Sequence, residues 1–151
     1  MIHCNGDLIM RYDEYVSGLQ KAVVELDNAV QVLIQDVATL IDEYWVDVKA
    51  HDAFLPFAFN VQRQQNGYRI RWGELYKSKS TSGSSAGKVR MKHINKGKGD
   101  AYFLTQFKNH PVWFEVIFHK YESQLTEIRK AIRSNRKARK SISQSIAFYS
   151  K

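Results

Sequence analysis

The chain has 151 residues, 44% of them hydrophobic and 25% charged, with a formal net charge of +8. That is globular composition, and it excludes wholesale disorder. The single cysteine, Cys4, excludes an internal disulfide and a cysteine-based zinc site, and it fits a reducing compartment.

The N-terminus lacks a basic start followed by an apolar run, and no stretch approaches ~18 uncharged apolar residues. The expectation is a cytoplasmic protein with no signal peptide and no contact with a membrane. The charge is segregated. Residues 1–56 hold 3 Lys+Arg against 10 Asp+Glu, whereas residues 57–151 hold 20 against 5. A strongly basic part of this kind points to a polyanionic partner, with some neutralisation inside the fold.

In chain order, residues 1–8 read as a lead-in, with Asn5-Gly6-Asp7 as turn and cap material. The spacing then predicts one long helix over 9–49. Tyr12, Val16, Leu19, Val23, Leu26, Val30, Leu33, Val37, Leu40 and Tyr44 alternate at intervals of four and three, a heptad seam with mostly Val at one position and Leu at the other. No proline interrupts it, and its sole glycine is Gly18. Such a seam needs a partner helix, either in a homodimer through this first helix or within the chain.

A small antiparallel sheet is expected over 57–95. Phe57–Arg63 alternates apolar and polar, Asn66-Gly67 is a hairpin turn signal, and Tyr68–Tyr76 alternates again. A turn at Asn66-Gly67 sets Arg63 against Ile70, Val61 against Trp72 and Phe57 against Tyr76. Gln64, Gln62 and Asn60 then meet Arg69, Arg71 and Gly73 on the other face. A third run, Lys88–Ile94, repeats the period of two. With Val89, Met91 and His93 turned inward, Arg69, Arg71, Arg90 and Lys92 share one solvent face. The plain account of such a face is that an antiparallel sheet wets one side.

Residues 77–87, rich in Ser and Gly, read as a flexible loop between the second and third strands, and Asn95–Asp100 as a Gly-Lys turn. A short helix over 102–108 and a long one over 111–149 follow. Pro111 suits the first turn, Asn109 or His110 the cap, and Trp113, Phe114, Ile117, Phe118, Tyr121, Leu125, Ile128 and Ile132 the apolar stripe. The fold expected is therefore α+β and a single domain, 1–151. It has two long antiparallel helices as a coiled-coil-like pair, with a three-stranded antiparallel sheet at one end. Tyr44 should lie near Phe114, and Leu26 near Ile132.

Little here assembles a catalyst. The five histidines are scattered, and Asp42, Glu43 and Asp47 suit a solvated helix flank better than an acid/base pair. His93 reads as a core histidine. Lys96-Gly97-Lys98-Gly99 lacks the spacing of a nucleotide-hydrolysing loop, although its N–H and ammonium groups could approach a phosphodiester. No enzyme activity, metal or cofactor is expected.

Nucleic-acid binding has more support. Arg129, Arg133, Arg136, Lys137 and Lys140 follow one helical stripe, where like charges at i,i+4 repel. Glu25 and Asp27 are the internal partners on offer, and two carboxylates cannot balance seven cations between 129 and 140. Gln62, Gln64, Arg69 and Arg71 are the residue types that read guanine and adenine edges when a β-ribbon enters a major groove. Lys88, Arg90, Lys92, Lys96 and Lys98 complete the expected double-stranded-DNA-binding set. Single-stranded RNA fits less well, because its readers expose aromatics on the sheet and here the aromatics face inward. The competing function is a coiled-coil adaptor or scaffold that binds a protein through the Val/Leu seam.

Tyr68-Arg69-Ile70-Arg71-Trp72, then His93-Ile94-Asn95-Lys96-Gly97-Lys98-Gly99 with Tyr102, then Gln124-Leu125 with Ile128-Arg129, resemble the MobI-type conjugative transfer proteins over roughly residues 57–130. The first helix matches only in being long and heptad-like. The resemblance implies an auxiliary factor of the relaxosome that acts at the origin of transfer and helps a relaxase process DNA, without catalysis of its own. Lys96, Gly97, Lys98 and Gly99 are the motif positions it singles out.

Overall fold

The computed structural model describes residues 3–65, 67–78 and 87–150, with side chains from residue 12 onward. Asn66 and residues 79–86 of the Ser/Gly loop lie outside the described residues. The order is helix α1 (His3–Lys49), strands β1 (Phe57–Gln64), β2 (Gly67–Lys77) and β3 (Val89–His93), a single 3-10 turn (Leu104–Gln106) and helix α2 (Phe114–Tyr149). The class is α+β. Contacts gather the chain into two compact units, residues 34–130, and residues 1–33 with 131–151.

Helix boundaries differ from the sequence reading. α1 is described from His3 and takes in residues 3–8 of the expected lead-in (residues 1–2 lie outside the described residues), because a glycine such as Gly6 costs a helix interior only about 1 kcal/mol. The expected helix over 102–108 is only the turn at Leu104–Gln106, where the Gln106 side chain accepts the Phe103 N–H at 2.8 Å and Phe107 leaves in extended conformation. α2 starts at Phe114, after a turn in which the Phe114 N–H bonds the Pro111 carbonyl at 3.0 Å. His110 bonds the Phe107 carbonyl instead of capping α2.

In the 34–130 unit the three strands form an antiparallel sheet in the order β1-β2-β3. Its core is built on Trp72, which is fully buried and touched by the rings of Tyr44, Phe59, Phe107, Phe114 and Phe118 at centroid distances of 4.9–5.9 Å. Edge-on aromatic pairs add about 0.5–1.5 kcal/mol each beyond their buried area. The seam residues Val37, Leu40 and Tyr44 are buried within the chain. The two helices run antiparallel here: Asp47 accepts from both Lys120 (2.7 Å) and the Tyr121 hydroxyl (2.6 Å), Tyr44 packs on Tyr121 at 5.4 Å, and the earlier residues Asp36 and Leu40 line a hollow with the later Glu127 and Ile128. Tyr44 thus meets Tyr121, one heptad along from the expected Phe114, whose neighbours include Phe57, Phe107 and Phe118. The Tyr44 hydroxyl also donates to the Phe57 carbonyl, tying α1 to β1.

The hairpin register is two residues from the one expected. Phe59 pairs with Trp72, Val61 with Ile70 and Gln62 with Arg69, and the chain turns between Gln64 and Gly67. This register sets apolar against apolar, where the expected one opposed Arg63 to Ile70. A shift of two leaves every residue on its face.

The third strand departs further. Gly73 pairs with His93, Leu75 with Met91 and Lys77 with Val89. Directly opposed residues share a face, so Val89, Met91 and His93 lie with Arg69 and Arg71, while Arg90 and Lys92 lie on the Trp72 side. The expected common face of Arg69, Arg71, Arg90 and Lys92 does not exist. The pairing is locked by Gly73: a Cβ there would meet Met91 Cγ at 2.2 Å, so the methionine fills the space the glycine leaves open.

In the other unit Val30 and Ile132 are buried, Asn135 Nδ2 donates to the Leu26 carbonyl at 2.9 Å, and Tyr149 packs on Tyr12 and Tyr15 at 5.4 and 5.3 Å. Leu26 is therefore bonded to Asn135, one turn on from Ile132. No helix among the described residues is long and apolar enough to cross a membrane.

Candidate nucleic-acid interface

Between residues 57 and 98 ten Lys+Arg stand against one carboxylate, Glu74. Glu74 lies opposite Lys92 on the helix side of the sheet. The outer side carries Asn60 and Gln62 from β1, Arg69 and Arg71 from β2 and His93 from β3, with Gln64 at the hairpin end opposite Gly67. Among the described residues, no strand position on this side is acidic.

The outer face is organised around Arg71. Its Nη2 donates to Gln62 Oε1, and it stands directly opposite Asn60. Among the described residues three buried side-chain atoms have no hydrogen-bond partner, and all belong here: Asn60 Oδ1, Arg71 Nε and His93 Nδ1. A buried polar atom left unpartnered costs about 1–3 kcal/mol, so such a cluster does not serve stability. Burial, and then the charge of Arg71, hold the His93 imidazole below its ordinary pKa. The reading of His93 as an inward core residue is corrected, because the pairing of β3 carries it outward.

The Asn95–Gly99 turn stands at the end of β3. Asn95 Oδ1 accepts the Gly97 N–H at 3.0 Å, Lys96 Nζ donates to the Gly99 carbonyl, and Gln106 Nε2 bonds the carbonyls of Asn95 (2.9 Å) and Lys96 (3.1 Å). Gly97 has φ +86°, which favours glycine. The Gly97 N–H is thus already used within the loop, and Lys98 is the exposed cation of the turn. Burial lowers the Lys96 pKa, and Arg129 and Arg69 add to the effect against Asp100 and Glu122. Lys88 is exposed just before β3, and its carbonyl accepts the Ser78 N–H at 2.7 Å. Arg90 and Lys92 are exposed on the opposite side of the sheet from Arg71.

Arg129 does not lie on the expected exposed stripe. It is buried and paired with Glu122, Nη1 to Oε2 at 2.8 Å and Nη2 to Oε1 at 3.0 Å, and it also donates to the carbonyls of Ile70 and Asp100 at 3.0 Å. Glu122 further accepts from Trp72 Nε1 at 2.9 Å and from the Tyr102 N–H at 2.8 Å. The pair joins α2 to β2 and to the 95–102 segment. A signal for it existed in the sequence: Arg129 lies between Leu125 and Ile132 on the apolar stripe, seven residues after Glu122.

In the other unit Arg133, Arg136, Lys137 and Lys140 are exposed on α2. Asp27 pairs with Arg139 at 2.7 Å, a residue outside the expected stripe. From 131 to 151 there are six Lys+Arg and no Asp or Glu.

Fold and surface together define a basic α+β protein: two long helices and a three-stranded sheet whose outer face sets Asn60, Gln62, Arg69 and Arg71 beside the apolar Leu75, Val89 and Met91. The family model described as MobI protein matches residues 33–143, and the chain belongs to the MobI family. Membership implies a role in conjugative mobilisation. No curated protein and no solved structure matches the chain.

Proposed function

We propose that this protein is a DNA-binding accessory factor of conjugative transfer, acting in the cytoplasm at the origin of transfer beside a relaxase, with no catalysis of its own. The observation that carries the reading is the ten-to-one excess of cations over carboxylates between residues 57 and 98. Such an excess is costly within one fold and is relieved by phosphates. Gln62, Arg69, Arg71, Lys88, Arg90, Lys92, Lys96 and Lys98 serve in one unit, and Arg133, Arg136, Lys137 and Lys140 in the other. Val30, Val37, Leu40 and Tyr44 of the α1 seam are buried within the chain, so the proposal calls on no second copy at that stretch.

The test is a competition gel-shift with a duplex spanning the origin of transfer and a shuffled duplex of equal length. Binding to the origin duplex in at least a tenfold excess of the shuffled one is expected. Equal competition by the two would overturn action at the origin.

A further inference from the structure

The outer sheet face holds a polar cluster whose geometry says more than its charge. Arg71 is pinned on one side by Gln62 and faces Asn60 across the ladder, while His93 stands diagonal to it on the neighbouring strand. Arg71 Nε is a donor and Asn60 Oδ1 an acceptor, yet neither has a partner. Arg71, Asn60 and Gln62 are each half-buried rather than enclosed, so a change of rotamer brings their polar ends to the surface.

We infer that Arg71 is the specificity-determining residue of this face and reads a guanine in the major groove, with Gln62 as the buttress that orients its guanidinium. This rests on the DNA-binding reading above. The guanidinium fork matches the O6 and N7 acceptors of guanine, and the amide of Asn60 matches a neighbouring base edge that presents both a donor and an acceptor. A three-stranded antiparallel sheet backed by helices on one side leaves its other side able to enter the groove. Arg69 on the same face, and Lys98 on the turn that follows β3, are placed to hold phosphates and carry no sequence information. Arg90 and Lys92, on the reverse of the sheet, take no part in base reading.

The experiment measures affinity for three duplexes: the origin of transfer, its shuffled control, and the origin with 7-deazaguanine in place of guanine, which lacks the N7 acceptor. For the wild type, 7-deazaguanine should lower the preference for the origin. Arg71→Lys keeps the charge and loses the fork, so its origin-to-shuffled ratio should fall by roughly 5- to 150-fold. It should no longer respond to 7-deazaguanine. Gln62→Ala should fall in the same direction by less, and Lys98→Gln should weaken both natural duplexes alike. Matching melting temperatures for the variants keep a folding defect from mimicking the result. An Arg71→Lys protein that retains the wild-type ratio, or loses both duplexes equally, overturns this inference and leaves DNA binding standing. A wild type that binds neither duplex overturns both.

Discussion

At the scale of single residues, the buried Glu122–Arg129 pair shows how one charge can be either surface or scaffold. Read along the helix, Arg129 belongs to a cationic stripe; packed, it spends its donors on Glu122 and on two backbone carbonyls. Removing Glu122 would strand a guanidinium in the core and orphan Trp72 Nε1 and the Tyr102 N–H. Glu122→Ala should therefore cost about 3–5 kcal/mol in urea unfolding. Lys137→Ala, on the exposed side of α2, should stay within about 0.5 kcal/mol of wild type. Similar small costs for both would mean that Glu122 and Arg129 are solvated. Arg71 Nε and Asn60 Oδ1 carry the opposite lesson: these two atoms are left unsatisfied on a side of the sheet with no acidic strand position among the described residues, where stability gains nothing from them.

At the scale of elements, the hairpin was legible because strand alternation survives a two-residue slip. Phe59, Val61, Ile70 and Trp72 face the helices in either register. The third strand was not legible. Its two faces, Val89-Met91-His93 and Arg90-Lys92, suggest apolar-in, but the parity of β3 against β2 is set by a long-range contact, Met91 over Gly73, which lies across an eleven-residue loop from any local signal. α1 was legible from its heptad, and only its start was misplaced, because cap-like residues at Asn5 to Asp7 do not oblige a helix to begin there. Gly18 lies within α1, and a Cβ there would have no heavy atom within 4 Å. Gly18→Ala should therefore stabilise the protein by about 1 kcal/mol, seen as a raised urea midpoint at unchanged slope. A lowered midpoint would show that this stretch of α1 is not helical in solution.

At the scale of the whole molecule, the acidic opening helix and the basic remainder do not cancel. Asp27 is taken by Arg139 and Asp47 by Lys120, and Glu122 by Arg129, while the sheet keeps a single carboxylate. The net charge of +8 stays uncompensated within the chain, and under the proposed function a duplex would neutralise it. Charge segregation and family motifs were visible in the residues themselves, whereas the division of the sheet cations between two faces needed the strand pairing. The most direct measurement is the salt dependence of binding to a labelled origin duplex between roughly 50 and 200 mM monovalent salt. If six to ten phosphates are neutralised, log K should fall against log salt with a slope between about −5 and −9, and Arg136→Glu with Lys140→Glu should make it shallower by about 2. A slope near zero, or one that these reversals leave unchanged, would contradict a protein built to lie along the phosphates of DNA.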